Sequence, residues 1–172
     1  MRKLLFDALF KGTAVIAPPT PTDVMVRELA EALGMRFRQK LGRSLSIREV
    51  DAGSCNGCEL EIHALNNPVY DVERFGLKFV ASPRHADVLM VTGPVTWNMR
   101  TALERTYAAT PDPKWVVAIG DCGADCGVFK GSPACVGPVS AVIPVDLAIR
   151  GCPPPPVEIL KGLLALVDGV SA

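Results

Sequence analysis

The chain has 172 residues, 49% of them apolar and 21% charged, with 18 basic and 18 acidic side chains and a formal net charge of zero. That length suits one domain with a real hydrophobic core, and the charge balance excludes the basic footprint of a nucleic-acid binder. No run approaches the ~20 apolar residues of a membrane span, so a neutral, rather apolar subunit that buries surface against partners is one reading, and a large core is the other.

Met1 to Lys11 is amphipathic, with Leu4, Leu5, Ala8 and Leu9 at helical spacing between Arg2, Lys3, Asp7 and Lys11. Such a helix covers the chain's own core or lies against a partner or lipid surface. Asp7 and Lys11 interrupt the apolar run and no twin-arginine pair precedes it, so a secretory leader is not read here and cytoplasmic residence is expected. In that compartment six cysteines point to ligands or free thiols rather than disulfides. The run A-P-P-T-P-T-D, 17–23, breaks structure. Thr22 or Asp23 then caps a helix through about Leu41, with Val26, Leu29, Ala32, Leu33 and Phe37 as its apolar face. Residues 1–45 read as an N-terminal helical extension, and residues 46–172 as an α/β domain.

From Ser46 short β-branched runs alternate with helical patterns. S-I-R-E-V, F-V-A, V-L-M-V-T and W-V-V-A-I read as strands, with A-V-I-P-V, 141–145, as a fifth weakened by its proline. Helical patterns fall near Glu59–Leu65, Asn98–Ala109 and Val157–Val167. The alternation predicts an open parallel sheet with helices on both faces. Three strands run directly into D-A-G-S-C-N-G-C, T-G-P-V-T and G-D-C-G. Sheets of this kind place their chemistry beyond the carboxyl ends of the strands, so these loops are expected to converge on one edge.

The thiols are Cys55, Cys58, Cys122, Cys126, Cys135 and Cys152. Glycines around them let backbone amides approach closely, which suits an iron–sulfur cluster. Zinc is the competing metal, because Cys55/Cys58 and Cys122/Cys126 would make two tight pairs. Glu59 and Glu61 begin the helix after Cys58, where the helix dipole alone favours acids. The functional reading gives Glu61 a role in coupling electron transfer to protonation beside an anionic cluster. Arg84, His85 and Arg150 would offset the charge of such a cluster, and His63 reads as a helix-surface residue.

The motifs C-N-G-C-x-x-E at Cys55 to Glu61, S-P-R-H-A-D-V-L-M-V-T-G-P-V-T at Ser82 to Thr96, G-D-C at Gly120 to Cys122 and I-P-V-D…G-C-P-P at Ile143 to Pro154 occur in one order. Together they resemble the small, cluster-bearing subunit shared by the quinone-reducing complex I and the membrane-bound NiFe hydrogenases. The resemblance covers about Ser46 to Val167. It implies a flavodoxin-like fold, one 4Fe–4S cluster, and Cys55, Cys58, Cys122 and Cys152 as its ligands. Cys126 and Cys135 are left over, and the position of Cys126 is usually a glycine in similar proteins. Complex I versions carry two adjacent cysteines at the first ligand site, so C-N-G-C resembles the formate-hydrogenlyase or energy-converting hydrogenase branch.

The resemblance implies an oxidoreductase subunit that is inactive alone. It would relay single electrons between a ferredoxin-like iron–sulfur subunit and the NiFe site of a hydrogenase-type large subunit. Membrane subunits of the complex would hold it peripherally on the cytoplasmic face of the inner membrane. The alternatives are a quinone-reducing, complex I-like assembly that binds quinone, a nickel-free hydrogenase relative, and a zinc-stabilised binding module with no redox role.

Overall fold

Every residue of the run V-L-M-V-T is buried, which a strand achieves only when helices cover both faces of its sheet. In the computed structural model, which describes residues 24–169, that run is a central strand. The amphipathic segment Met1–Lys11 and the 17–23 breaker lie outside the described residues. In chain order the elements are α1 (Val24–Leu41), β1 (Leu45–Asp51), α2 (Gly57–Ala64), β2 (Leu77–Phe79), β3 (Val88–Thr92), β4 (Val95–Thr96), α3 (Trp97–Ala109), β5 (Trp115–Ile119), α4 (Gly120–Asp125), β6 (Cys135–Gly137), β7 (Leu147–Ile149) and α5 (Pro156–Asp168).

Five strands form one sheet in the order β2-β1-β3-β5-β7, with every pairing parallel. Counting only these strands, the order is that of the flavodoxin-like doubly wound sheet, whose switch point lies between its first and third strands. Alternate residues serve opposite faces. Met90, Val117 and Ile119 pack with Leu33 and Phe37 of α1, Ile62 of α2 and Ile159 and Leu163 of α5. Leu89, Val91, Val116 and Ala118 pack with Leu103 of α3 and with Val139 and Ile143.

Helix α1 runs unbroken through Gly34, where the carbonyl of Phe75 from another segment occupies the space a Cβ would need. Its last turn is tied to α5. Lys40 Nζ donates to the Val167 carbonyl at 3.0 Å and lies 5.3 Å from the Trp115 ring centroid, and Arg36 reaches Asp168 at 3.4 Å. At the amino ends of the strands, buried Asp87 accepts from Arg43 Nη1 at 2.8 Å and from Ser46 N at 2.9 Å.

Two strands differ from expectation. The second is Leu77–Phe79, sharing only Phe79 with the predicted F-V-A. The fifth is Leu147–Ile149, not A-V-I-P-V. Residues 139–141 instead make a 3-10 turn. Pro144 has no N–H for a ladder, and the chain enters the sheet only at Asp146. There the backbone N–H donates to the Val116 carbonyl at 2.9 Å and the side chain accepts from Val116 N at 2.7 Å. Among the described residues no helix is long and apolar enough to cross a membrane.

Leu33 is fully buried between α1 and the sheet. Leu33→Ala is expected to cost about 2–5 kcal/mol, read as a fall in the denaturation midpoint of the full chain.

Candidate metal centre

Each cysteine loop is shaped before any metal is considered. Asp51, ending β1, accepts from the backbone N–H groups of Gly53 and Ser54 at 2.7 Å each, and Ser54 Oγ accepts from Asn56 N at 3.0 Å. Asn56 takes a left-handed conformation, φ 71°, so that α2 begins at Gly57. This puts Cys55 on the exposed rim and Cys58, in the first helical turn, in the interior. Next door, Gly93 after β3 has φ +73°, and a Cβ there would fall on the Ser54 backbone. Thr96 then donates from both N and Oγ1 to the Ala52 carbonyl, at 2.9 and 3.1 Å.

After β5, Gly120 turns with φ +82° into the short helix α4, which buries Cys122. Asp121 N donates to the Gly151 carbonyl at 2.9 Å and Gly151 N returns a bond to Asp121 Oδ1 at 3.2 Å. That exchange fixes the loop after β7 and its exposed Cys152.

Cys55, Cys58, Cys122 and Cys152 therefore line one cavity of about 140 Å³, with Gly57, Gly93 and Gly151 in its wall. It sits at the carboxyl edge of the sheet beside the β1/β3 switch point, where the convergence argument placed it. Burial pushes the Cys58 thiol up to about 12, assisted by Glu59 and by the thiols of Cys122, Cys55 and Cys152. Burial likewise raises Cys122. These thiols are neutral at neutral pH, so a metal entering the cavity must displace protons.

Cys126 and Cys135 do not line the cavity. Of the cations considered for charge compensation, Arg150 is engaged with Asp125 at 2.7 Å and Asp121 at 3.8 Å. Arg84 and His85 lie with Arg43, Ser46 and Lys78 around a separate groove, which meets β1 near its amino end, and so away from the thiols. His63 is exposed, as expected, with Nε2 3.9 Å from Glu49 Oε2.

Glu61 is half-buried on α2 and does not line the cavity. The buried acid is Glu59, both of whose carboxylate oxygens lack a hydrogen-bond partner. A larger groove of about 470 Å³, lined by Arg48, Glu49, His63, Asn66 and Phe79 among others, holds no cysteine. Burial there raises the Glu49 carboxyl, and His63 opposes the rise.

A sulfur-only donor set suits zinc or an iron–sulfur cluster. Zn–S bonds of about 2.3 Å would draw four sulfurs to about 3.8 Å from one another. Among the described residues no three His, Cys, Asp or Glu side chains group closely enough to hold one ion. The four thiols, with six other residues, line a space about ten times the 10–15 Å³ that admits one water. The residues present fit a polyatomic, thiolate-bound cluster.

Behind the cavity Gly120 leaves no slack, because a Cβ there would stand 2.6 Å from Cys58 Sγ. Gly120→Ala is expected to abolish metal loading while the secondary structure, followed by circular dichroism, is retained.

Residues 55–166 match the family described as NADH ubiquinone oxidoreductase, 20 Kd subunit. A probable membrane-bound hydrogenase subunit (mbhJ) of Pyrococcus furiosus is 49% identical over 128 residues, covering 74% of this chain and 77% of that protein. Formate hydrogenlyase subunit 7 of Escherichia coli is 42% identical over 142 residues, 83% of this chain but only 56% of that protein. Among solved structures, a chain of an archaeal membrane-bound sulfane sulfur reductase, described as a respiratory membrane complex, superposes with a TM-score of 0.67. Its identity is 33%, over 78% of this chain and 74% of that one.

Proposed function

Because the chain belongs to the family of the 20 kDa subunit of NADH ubiquinone oxidoreductase, we propose that it is the electron-relay subunit of a membrane-associated, hydrogenase-type oxidoreductase complex. The observation that carries this reading is the glycine-walled cavity lined by thiols from three strand-end loops. In this reading Cys55, Cys58, Cys122 and Cys152 hold one 4Fe–4S cluster, residues 46–172 form the cluster domain, and residues 1–45 form its extension. When bound, the cluster supplies reversible one-electron chemistry between a ferredoxin-like subunit and the NiFe site of a large subunit.

The chain's own part is placement. Buried Cys58 and Cys122 anchor the group from within, while Cys55 and Cys152, on the exposed rim, face the subunits that exchange electrons with it. Asp51 and Asp121 hold the backbones of the loops that carry Cys55 and Cys152. Glu61, half-buried on α2 three residues after Cys58, is assigned to proton coupling. Membrane subunits of the complex hold the chain peripherally at the cytoplasmic face.

Likeness to the sulfane sulfur reductase chain favours a second reading. The same relay then serves a complex I-like respiratory assembly whose large subunit lacks nickel, or one that reduces quinone.

The deciding assay is iron, acid-labile sulfide, nickel and zinc in the complex purified anaerobically through a tag on this chain. Iron and sulfide with nickel support the hydrogenase-type relay. Iron and sulfide without nickel select the second reading, and zinc alone overturns both. Cys152→Ser is expected to abolish the cluster signal and Cys135→Ser to leave it nearly intact; a normal cluster in the Cys152 variant would sink the ligand assignment.

A further inference from the structure

Strand β2 covers only part of its neighbour. Its register with β1 runs from Leu45↔Leu77 to Ile47↔Phe79. The chain then leaves through a 3-10 turn at Pro83–His85 for β3, on the other side of β1. Among the described residues the outer edge of β1 from Arg48 to Asp51 therefore has no strand beside it. On that side the Ile47 carbonyl accepts from Val80 N at 2.8 Å. Alternate residues of a strand turn their backbone groups to the same side, so Glu49 and Asp51 present theirs where β2 no longer pairs.

The groove of about 470 Å³ lies along this edge and is lined by both Arg48 and Glu49. Consecutive side chains of a strand point to opposite faces, so the groove straddles the edge. Glu49 is in register with Met90, on the face that α2 covers, and lies 3.9 Å from His63. Arg48 is in register with Leu89, on the face that α3 covers. Ile62, Phe79 and Val80 make the apolar part of the lining. Leu60, three residues before His63 and so on the same face of α2, is 61% exposed. Among the described residues Arg48 Nε and Glu49 Oε1 are both buried without a hydrogen-bond partner, a condition that few polar groups in folded proteins share.

We propose that this edge docks an extended segment of a partner subunit, which adds to β1 as a further strand in line with β2. An open strand edge is a template for such pairing. The segment's backbone bonds the N–H and C=O groups that Glu49 and Asp51 turn outward. Its side chains complement the two charges that flank the edge: an acid on the α3 face meets Arg48, and a base at the adjacent position, on the α2 face, meets Glu49. The base's apolar stem lies toward Ile62 and Leu60. Strand β1 leads into the Cys55 loop and α2 carries Cys58 in its first turn, so a segment held between them fixes the partner relative to the thiol cavity. The inference rests on the reading that the chain works inside a complex.

The test places p-benzoylphenylalanine in place of His63, whose side chain is 73% exposed. The complex is purified anaerobically through a tag on this chain and irradiated, and the cross-linked peptides are mapped by mass spectrometry. The expected product joins position 63 to one segment of a co-purifying subunit in which an acidic and a basic residue are adjacent. Arg48→Ala and Glu49→Ala, each added to that background, are expected to lower its yield about two- to fivefold.

A cross-link to residues 1–23 of this chain, to a second copy of it, or to a partner segment without the acid–base pair would overturn the proposal. Unchanged yields in both alanine variants would do the same. The parent map decides by itself if an alanine variant fails to fold. Partners that co-purify with iron and sulfide but give no such cross-link remove the docking and leave the relay standing. A chain that purifies with no other subunit overturns both.

Discussion

A Cβ at Gly93 would fall on the backbone of Ser54, one at Gly120 on the sulfur of Cys58, and one at Gly151 within 2.7 Å of Pro154 N. The first two glycines let neighbouring loops close on one another, Gly93 against Ser54 and Gly120 against Cys58 and the Gly151 carbonyl, and the third lets the Cys152 loop fold tightly on itself. The parallel sheet delivers the loops to one edge, but strands in such sheets stand about 4.8 Å apart, and side chains on each loop would hold the loops away from a common centre. Removing Cβ where loops meet lets the thiols turn inward. Positive φ at each of these glycines adds a second reason that no other residue serves there.

The electrostatics of the site set buried thiols beside a buried acid. Buried Cys58 and Cys122 cannot ionise readily, and Glu59 beside them has both oxygens buried without a donor. Such groups normally find partners, and leaving them bare lowers stability. A metal bound there would take these sulfurs as thiolates and displace their protons, while a four-thiolate cluster would be anionic overall and would repel a neighbouring carboxylate. Asp125 and Arg150 neutralise one another outside the cavity, and the Arg150 hydrogen bond holds the Asp125 carboxyl below its usual range. The adjacent surface therefore contributes little net charge to the interior.

Much of this architecture could be read from the chain, for identifiable reasons. V-L-M-V-T and W-V-V-A-I are long, β-branched and apolar throughout, the mark of a strand buried on both faces, and both became strands. Because three strands ran straight into the special loops, convergence on one edge followed before any coordinate was known. The failures have equally local causes. L-A-I is too short for periodicity to register, while A-V-I-P-V had the composition of a strand but not the N–H groups of one. Helix α4 hides in G-D-C-G-A-D, where two glycines and six residues leave no helical pattern. Which of Glu59 and Glu61 is the more buried was not an expectation at all, since it depends on how α2 is rotated against the sheet, and a helix of eight residues carries too few apolar positions to fix that phase.

The bond from Lys40 to the Val167 carbonyl joins residues 127 positions apart, and Leu33 and Phe37 share a core with Ile159 and Leu163. Helix α1 thus finds its seat only after nearly all the rest of the chain exists. A ribosome adds about 5–20 residues per second, so between the emergence of α1 and that of α5 its apolar stripe waits roughly 6–25 s. Contacts this distant in sequence slow folding, because the loop must close before it is rewarded. Within the cell, the first described helix is consequently a natural target for holdase chaperones during synthesis, and the last helix to be made is the one that releases it.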